Sequence, residues 1–201
     1  MRRELHVRFC EGGEVQSLSA TRLVCAFENQ EDAQRFYLEV GERLRKFGLE
    51  LAAEKTRVVA FSRLEASSGS FEFLGFEFRW GKDRIGKDHV ERRTSRRKLR
   101  SSLKSFTDWC KKNRHLKLRV LCEQLNSKLR GYYNYYGVHG NYKRLKQFFD
   151  AAMRILMKWL NRRSQRRSYN WTGFNAVLRH LRVERPRIVG RPRVRLATLV
   201  A

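Results

Sequence analysis

LRVLCEQLNSKLRGYYNYY, residues 118–136, is the stretch of the sequence that decides the fold. Its apolar side chains recur every three or four residues, as Leu121, Leu125 and Leu129 illustrate. This spacing places them along one face of an α-helix, and Arg and Lys occupy the polar face. The stretch therefore predicts an amphipathic helix that buries its apolar face in a core made with other helices.

Other apolar stripes with helical spacing flank this stretch, and each predicts a further helix. The stripe nearest the C-terminus, at residues 171–181, is the weakest pattern. Residues 185–193 contain two prolines, which do not continue a helix, so we expect this segment to be extended. The stripes consist of Leu99, Leu103, Phe106 and Cys110; of Leu145, Phe148, Ala152, Ile155, Leu156 and Trp159; and of Trp171, Phe174, Val177, Leu178 and Leu181.

The first part of the chain mixes strand and helix patterns. Residues 22–28 form a short apolar run that is typical of a buried strand. A helical pattern follows, with Asn29 suited to begin the helix and Gly48 to end it. The apolar positions of this helix are Ala33, Phe36, Tyr37, Val40, Leu44 and Phe47.

Two more β elements are predicted downstream. A strand is expected around residues 57–62. Residues 71–80, FEFLGFEFRW, alternate aromatic with polar side chains on both sides of Leu74-Gly75, which indicates a β-hairpin or a bulged ribbon. Strands followed by a run of helices make the predicted fold class α+β.

The charge divides the chain into two parts. Residues 1–80 hold 12 Lys and Arg against 13 Asp and Glu, whereas residues 81–201 hold 33 against 7. The net charge of +25 lies in the second part, which will attract polyanions, with nucleic acid as the first partner to consider. Residues 81–95 are predicted as a linker between a domain at 1–80 and a helical domain at 96–201.

The cysteines and histidines favour neither disulfides nor a metal site. The four cysteines are far apart and form no C-x-x-C pair, and Cys110 and Cys122 fall on apolar stripes as core thiols. No apolar run reaches the length of a membrane span, and the first residues do not resemble a signal peptide. We expect a cytoplasmic protein without metal, cofactor or membrane partner.

Five short motifs connect the chain to a known family. They are Asp32-Ala33 with Arg35-Phe36, Phe47-Gly48-Leu49-Glu50-Leu51, Glu54-Lys55-Thr56-Arg57, Phe73-Leu74-Gly75-Phe76, and Leu129-Arg130-Gly131-Tyr132-Tyr133-Asn134-Tyr135-Tyr136. In this order, from about Leu23 onward, the chain resembles the C-terminal part of a group II intron reverse transcriptase/maturase. The resemblance implies a small incomplete palm-like α/β piece, followed by an all-α basic thumb and maturase-specific domain.

One departure from the family decides the enzymatic expectation. Members carry a Tyr-Ala-Asp-Asp turn before the apolar strand, and alignment back from Asp32-Ala33 places it at Ser19-Ala20-Thr21-Arg22. Both carboxylates are missing there, and two-metal phosphoryl transfer needs such oxygen ligands to hold Mg²⁺. The third carboxylate lies upstream in family members, in segments outside this sequence. We therefore expect no polymerase activity from this chain alone and no catalytic residue within it.

The palm-like part contains three candidate nucleic-acid contacts. The resemblance implies that Lys55 and Arg57 lie close to primer and template, where they would contact phosphates. It also implies that Gly75 belongs to a primer grip, where a bare glycine lets a strand approach the backbone. The structural alternatives are solvated charges at a strand entry for Lys55 and Arg57, and a packed bulge for Gly75.

Two basic clusters in the helical part are stronger candidates. The first lies just before and within the first turn of a helix, where cations oppose the helix dipole, and this favours a phosphate contact over a structural role. The second ends the third helix with more cations than charge complementarity at a helix end requires. The clusters are Arg92, Arg93, Arg96, Arg97 and Lys98, and Arg162, Arg163, Arg166 and Arg167.

The tyrosine-rich motif adds candidate stacking residues. Its tyrosines spread around most of a helix, so some must be exposed. Exposed Tyr133 and Tyr135 beside cations would stack on unpaired RNA bases. The structural alternative places Tyr132 and Tyr136 in the core and leaves the other hydroxyls in water. The neighbouring cations are Arg130, Lys143 and Arg144.

These patterns predict a protein that binds structured RNA, with a group II intron as the expected RNA, and that assists its splicing. DNA and a separate palm-and-fingers chain are the other partners considered. One alternative is the C-terminal subunit of a split RNA-directed DNA polymerase. Another is a decayed fragment of a reverse-transcriptase gene that binds nucleic acid without a defined role.

Overall fold

The computed structural model describes residues 5–10, 24–52, 56–61, 69–163 and 168–189, with the backbone alone at 5–10. The fold is α+β, as the sequence predicts. The chain divides into two compact units, Met1–Glu91 and Arg92–Ala201, which we call the sheet unit and the helical unit.

The first sheet of the sheet unit has a central strand that the sequence does not predict. Strand β1 lies between β2 and β3 and pairs antiparallel with both, so that Val7 is opposite Ala26 on one side and Val59 on the other. The two outer strands are the ones that the apolar runs predict, and the opening segment of the chain joins them. The strands are β1 (Leu5–Cys10), β2 (Val24–Phe27) and β3 (Thr56–Phe61).

Helix α1 (Gln30–Arg45) begins and ends close to where the sequence predicts. Asn29 occupies the N-cap position, although its side-chain amide donates to Asp32 Oδ2 at 3.1 Å instead of capping a backbone N–H. After the helix, Gly48 has a φ of +68°, the left-handed conformation that glycine adopts at helix ends. Asn29 and Gly48 therefore lie close to the two ends of α1, as predicted, although Asn29 makes no capping hydrogen bond.

Helix α1 buries its predicted apolar face only in part. Ala33 is fully buried and Phe36 packs against Phe27 of β2, with ring centroids 5.1 Å apart. Phe47, however, is 72% exposed, and so at 69% is Leu38, which lies outside the predicted stripe. The prediction that Phe47 belongs to the apolar stripe is wrong, because the helix has ended before it and the residue lies in the following turn.

The aromatic ribbon is a β-hairpin, the first of the two forms that the sequence allows. Strands β4 (Phe71–Phe73) and β5 (Phe76–Lys82) pair antiparallel around a two-residue turn. Leu74 and Gly75 in that turn have φ values of +49° and +78°. Two successive positive φ values match the twist of the flanking strands, and this accounts for the glycine.

The segment at 81–95, for which the sequence predicts a linker, is ordered as a turn and a strand. Strand β6 (Asp88–Thr94) pairs with β5 and completes a second three-stranded sheet. Asp83 orders the polar turn by accepting two backbone N–H groups at 2.8 Å. Arg79 and Glu91 then pair at 2.6 Å between the strands. The charged residues of this segment stabilise a turn and a strand pair. A polar composition alone is therefore a poor predictor of a linker.

The turn at Leu74 makes one prediction about stability. Leucine is disfavoured at positive φ, whereas Asn-Gly is the preferred pair for this turn. Leu74→Asn is therefore expected to raise the free energy of unfolding of the sheet unit by about 0.5–1 kcal/mol. Urea unfolding should show the gain for Leu74→Asn and none for Leu74→Ala, which keeps the φ penalty. Equal stability of both variants would contradict the assigned turn.

The helical unit confirms the predicted stripes. Leu99 in α2, Leu125 in α3, Leu156 in α4 and Phe174 in α5 all lie in one hydrophobic core. Trp171 is the exception, since it is 47% exposed at the start of its helix. The helices are α2 (Arg96–Asn113), α3 (Leu118–Tyr136), α4 (Tyr142–Leu160) and α5 (Trp171–His180).

Asn141 joins three elements of the helical unit through its buried side chain. Its Oδ1 accepts the Thr94 N–H at 2.9 Å, and its Nδ2 donates to Thr94 Oγ1 and to the Tyr136 carbonyl, both at 2.8 Å. Asn141 and Thr94 are fully buried. The end of β6 is thereby fixed against the end of α3 and the start of α4.

Residues 183–189 form an extended segment along α3, which we call the strap. The Asn126 side chain on α3 accepts the Glu184 N–H at 2.9 Å. Further along, the Val189 N–H donates to the Gly137 carbonyl at 2.7 Å, and Val183 is buried in the core. The expectation of an extended segment is confirmed for these residues, and the strap covers part of α3.

Candidate nucleic-acid interface

The first basic cluster lies where the sequence predicts it, around the start of α2. The helix begins at Arg96, and Ser95 Oγ accepts the Lys98 N–H at 3.2 Å as an N-cap. Arg96, Arg97 and Lys98 are exposed in the first turn, which contains no acidic residue. Arg92 and Arg93 precede them in β6, with Arg92 exposed and Arg93 half-buried. The cluster thus presents cations at the positive end of a helix dipole.

Helix α2 carries this charge further than the sequence analysis recognised. Arg96, Arg100 and Lys104 follow one another at four-residue steps and are exposed. Among the residues that the structure describes, none of the three has a carboxylate partner. We call them the α2 cationic face. Their four-residue spacing, beside the buried stripe of Leu99 and Phe106, is the signal that could have identified them.

Tyr133 cannot stack on an RNA base, and this prediction is wrong. Its side chain is fully buried, and its hydroxyl donates to the Glu184 carbonyl of the strap at 3.4 Å. Burial is the largest cause that raises the pKa of the Tyr133 hydroxyl above its ordinary value. Tyr133 lies four residues after Leu129 and continues the buried row, so helix phase places it inside.

The other tyrosines divide between packing and exposure. Tyr132 stacks on Phe148 with ring centroids 3.8 Å apart, and Tyr136 is half-buried against Tyr132. Tyr135 is 51% exposed, and Tyr142 at the start of α4 is 50% exposed. Tyr135 is therefore the predicted stacking residue whose ring is accessible.

The cations near the tyrosines differ in their surroundings. Arg130 pairs with Glu184 of the strap at 3.4 Å, and Arg144 donates to Gln147 Oε1 at 2.8 Å. Lys143 is exposed at the start of α4. Arg130 thus holds the strap in place. Of the two cations at the start of α4, Lys143 is more accessible than the half-buried Arg144.

The second basic cluster is partly held against the protein. The guanidinium of Arg162 lies 5.2 Å from the centroid of the Trp159 ring, and Arg114 lies 5.5 Å from the same ring. Arg163 donates to the Leu116 carbonyl at 2.8 Å. These contacts fix the guanidinium groups of Arg162 and Arg163, which remain exposed to solvent. Arg166 and Arg167 lie outside the described residues.

Part of the helical unit matches a protein-family model. Residues 91–175 match the family model described as "Group II intron, maturase-specific domain". This part of the chain is therefore similar to a group II intron maturase-specific domain. The match supports the assignment of the chain to the group II intron maturases, which the sequence motifs predict. No match is found among curated proteins.

The maturase-specific domain includes both α2 and the tyrosine-rich α3, whereas the strap lies beyond the matched residues. It is a non-catalytic domain. The α2 cationic face, Tyr135 and Lys143 all fall within it. The accessible candidate residues are therefore concentrated in the segment that matches the family model.

Of the three candidate contacts in the palm-like part, the structure describes Arg57 and Gly75. Arg57 is exposed on β3, and Lys55 lies outside the described residues, as do Ser19-Ala20-Thr21-Arg22. Gly75 is explained by the φ of its hairpin turn. The packed bulge proposed as its alternative is wrong, because the two strands pair without an inserted residue. The primer-grip role of Gly75 stays a prediction.

The cysteines of the maturase-specific domain are core thiols, as predicted. Cys110 and Cys122 are buried, and burial raises their pKa to about 12 and about 11 respectively. Such thiols stay protonated near neutral pH. Within the described ranges, no group of three or more His, Cys, Asp or Glu is placed to hold a metal ion. No helix among the described residues has the length and apolar character to cross a membrane.

Proposed function

We propose that this protein binds the structured RNA of a group II intron and assists its splicing, with the catalytic chemistry residing in the RNA. The observation that carries the proposal is the α2 cationic face, located in a maturase-specific domain. Tyr135 and Lys143 supply a stacking ring and a further cation in the same domain.

The charge arrangement favours a polyanionic partner. Like charges at four-residue steps repel one another and destabilise an isolated helix. Arg96 in the first turn of α2 is also unfavourable near the positive end of the helix dipole. RNA phosphates remove both penalties, and binding releases the counterions condensed on the RNA. The arrangement is therefore costly to the free protein and favourable in a complex with RNA.

Sequencing of the RNAs that copurify with the protein tests this function. A strong enrichment of one intron over bulk RNA is the expected result. A mixture that reflects cellular RNA abundance would contradict it and would favour the decayed-fragment alternative.

A further prediction concerns catalysis. The purified chain is expected to show no metal-dependent primer extension, because the segment aligned with the family's catalytic turn, Ser19-Ala20-Thr21-Arg22, contains no carboxylate. Incorporation of deoxynucleotides on a primed RNA template measures this directly. Extension by this chain alone that stops on chelation would contradict the prediction.

Exposed apolar residues in α1 and in the turn after it favour a second candidate function, the C-terminal subunit of a split polymerase. Leu38 and Phe47 are largely exposed in the sheet unit, and a palm-and-fingers chain that supplies all the carboxylates could cover them. Primer extension that appears only when such a chain is added would support this candidate. Extension by the added chain that is unaffected by this protein would remove it.

Tyr135 provides a prediction about base stacking. Tyr135→Ala is expected to weaken binding of loop-containing RNA by about 1–3 kcal/mol, because one stacked base is worth that much. Binding of plain duplex and the dependence on salt should stay unchanged, since stacking involves little charge. Tyr135→Phe keeps the ring and serves as the control. Equal losses on loop and duplex RNA in titrations would contradict the stacking role.

A further inference from the structure

A concavity of about 310 Å³ lies in the helical unit, between the first half of α3 and the end of α5. Arg119 and Glu123 line it from α3, and His180 and Arg182 line it from the end of α5. Cys122, which is 2% exposed, lies at its base. Its volume is at the small end of ligand sites, which span roughly 300–1,000 Å³. It is open to solvent and has a basic rim.

Arg182 occupies a backbone position where glycine is expected. Its φ is +48°, and it follows α5 at the left-handed position that ends many helices. The Arg182 N–H donates to the Arg179 carbonyl at 3.1 Å, and the next N–H, of Val183, donates to the Leu178 carbonyl at 2.9 Å. Glycine would make these bonds without steric cost, whereas arginine pays a conformational penalty.

No contact within the described part of the fold explains an arginine at this position. Its carbonyl accepts Asn126 Nδ2 at 3.2 Å, but any residue supplies a carbonyl. Its guanidinium has no carboxylate partner among the described residues. A strained non-glycine residue with an unpartnered cation in a concavity indicates selection for the side chain.

The charges around the concavity favour an anion. Arg119 pairs with Glu123 at 3.4 Å, but their side chains are 85% and 66% exposed. Such an exposed pair at four-residue spacing is weak, so a phosphate can replace the carboxylate. Arg119 and Arg182 therefore outweigh Glu123, the one carboxylate that lines the concavity.

We propose that this concavity binds one unpaired nucleotide of RNA. The phosphate lies between Arg119 and Arg182, and the nucleobase packs against His180 and the apolar floor of the concavity. Imidazole rings and guanidinium planes are common stacking surfaces for splayed bases. The inference rests on the proposed function for its ligand, RNA, but its residues are separate from the α2 cationic face. It extends the RNA-binding surface beyond the residues matched by the family model.

Arg182→Gly tests the site in the full chain, because the substitution removes the cation and relieves the backbone. The melting temperature should stay the same or rise. Affinity for an RNA with unpaired nucleotides should fall about tenfold, as for one lost charge-assisted hydrogen bond. The salt slope should fall by about one. Arg179→Gln, at an exposed position outside the concavity, is the matched control. Lower stability with unchanged affinity would assign Arg182 a structural role and overturn the proposal.

A direct titration separates this site from the proposed function. Uridine 5′-monophosphate and inorganic phosphate are added to the ¹⁵N-labelled chain, and amide shifts are followed by NMR. Larger shifts with the nucleotide than with phosphate, at residues 119–126 and 180–183, are expected even if no intron RNA copurifies. Equal shifts with both would overturn the nucleotide site. Absence of shifts there, while RNA binding still depends on the α2 cationic face, would overturn the site and leave the proposed function standing.

Discussion

Replacing Asn141 with Ala is expected to lower the free energy of unfolding of the helical unit by about 3 kcal/mol. The substitution removes three hydrogen bonds that join Asn141 to Thr94 and Tyr136. It leaves the buried Thr94 N–H without its acceptor and the Tyr136 carbonyl without this donor, and water has little access because Asn141 and Thr94 are fully buried. The loss combines unsatisfied polar groups with a cavity, both of which destabilise strongly.

Urea unfolding of the full chain measures this effect, with Asn134→Ala as the control. Asn134 is exposed on α3, so its replacement by a better helix former should cost nothing. A double-mutant cycle with Thr94→Val isolates the bond to the Thr94 hydroxyl, and the coupling should be about 1 kcal/mol. If Asn141→Ala is no more destabilising than Asn134→Ala, the network does not hold the three elements together.

The helices could be predicted because their signal is local. A buried face repeats every three to four residues, and Leu121, Leu125 and Leu129 display this repeat without reference to the rest of the chain. The ends of α1 and the hairpin turn at Gly75 were found for the same reason, since caps and turns depend on a few neighbouring residues.

The features that the sequence failed to predict depend on distant partners. Strand β1 becomes central only because β2 and β3, far along the chain, pair on both sides of it. The contact of Tyr133 with the strap joins residues 51 positions apart, although its position on the buried row of α3 follows from helix phase alone. A polar side chain such as Asn141 likewise gives no periodic signal, although it is fully buried. Non-local pairing has no counterpart in sequence periodicity.

In the candidate interface, too, a signal carried by consecutive residues could be predicted, whereas one that appears only on the folded helix was missed. The basic cluster at the start of α2 was found as a run of consecutive cations. Its continuation to Arg100 and Lys104 was missed, because these residues are separated by apolar and polar positions and become neighbours only on the helix surface. The same helical geometry governs apolar stripes and rows of cations, so a four-residue spacing of cations is a signal of equal value.

The second large effect is expected at the α2 cationic face. Replacing Arg96, Arg100 and Lys104 together with Gln should lower the affinity for intron RNA by about 10- to 100-fold at moderate salt. Each phosphate contact that is lost should also reduce the slope of log affinity against log salt by about one, so the slope should fall by two to three. Folding should not suffer, because neutralisation removes repulsion along the helix.

The matched control removes the same charge from the other unit. Arg43, Arg45 and Lys46 are exposed at the end of α1, in the part of the chain whose acidic and basic residues nearly balance. Their replacement with Gln changes the net charge equally but leaves the helical unit intact. Because local phosphate contacts and not total charge are proposed to hold the RNA, this variant should retain nearly all affinity and the original salt slope. Equal losses for both triple variants, in titrations at several salt concentrations, would show that binding follows net charge and that the α2 cationic face is not an interface.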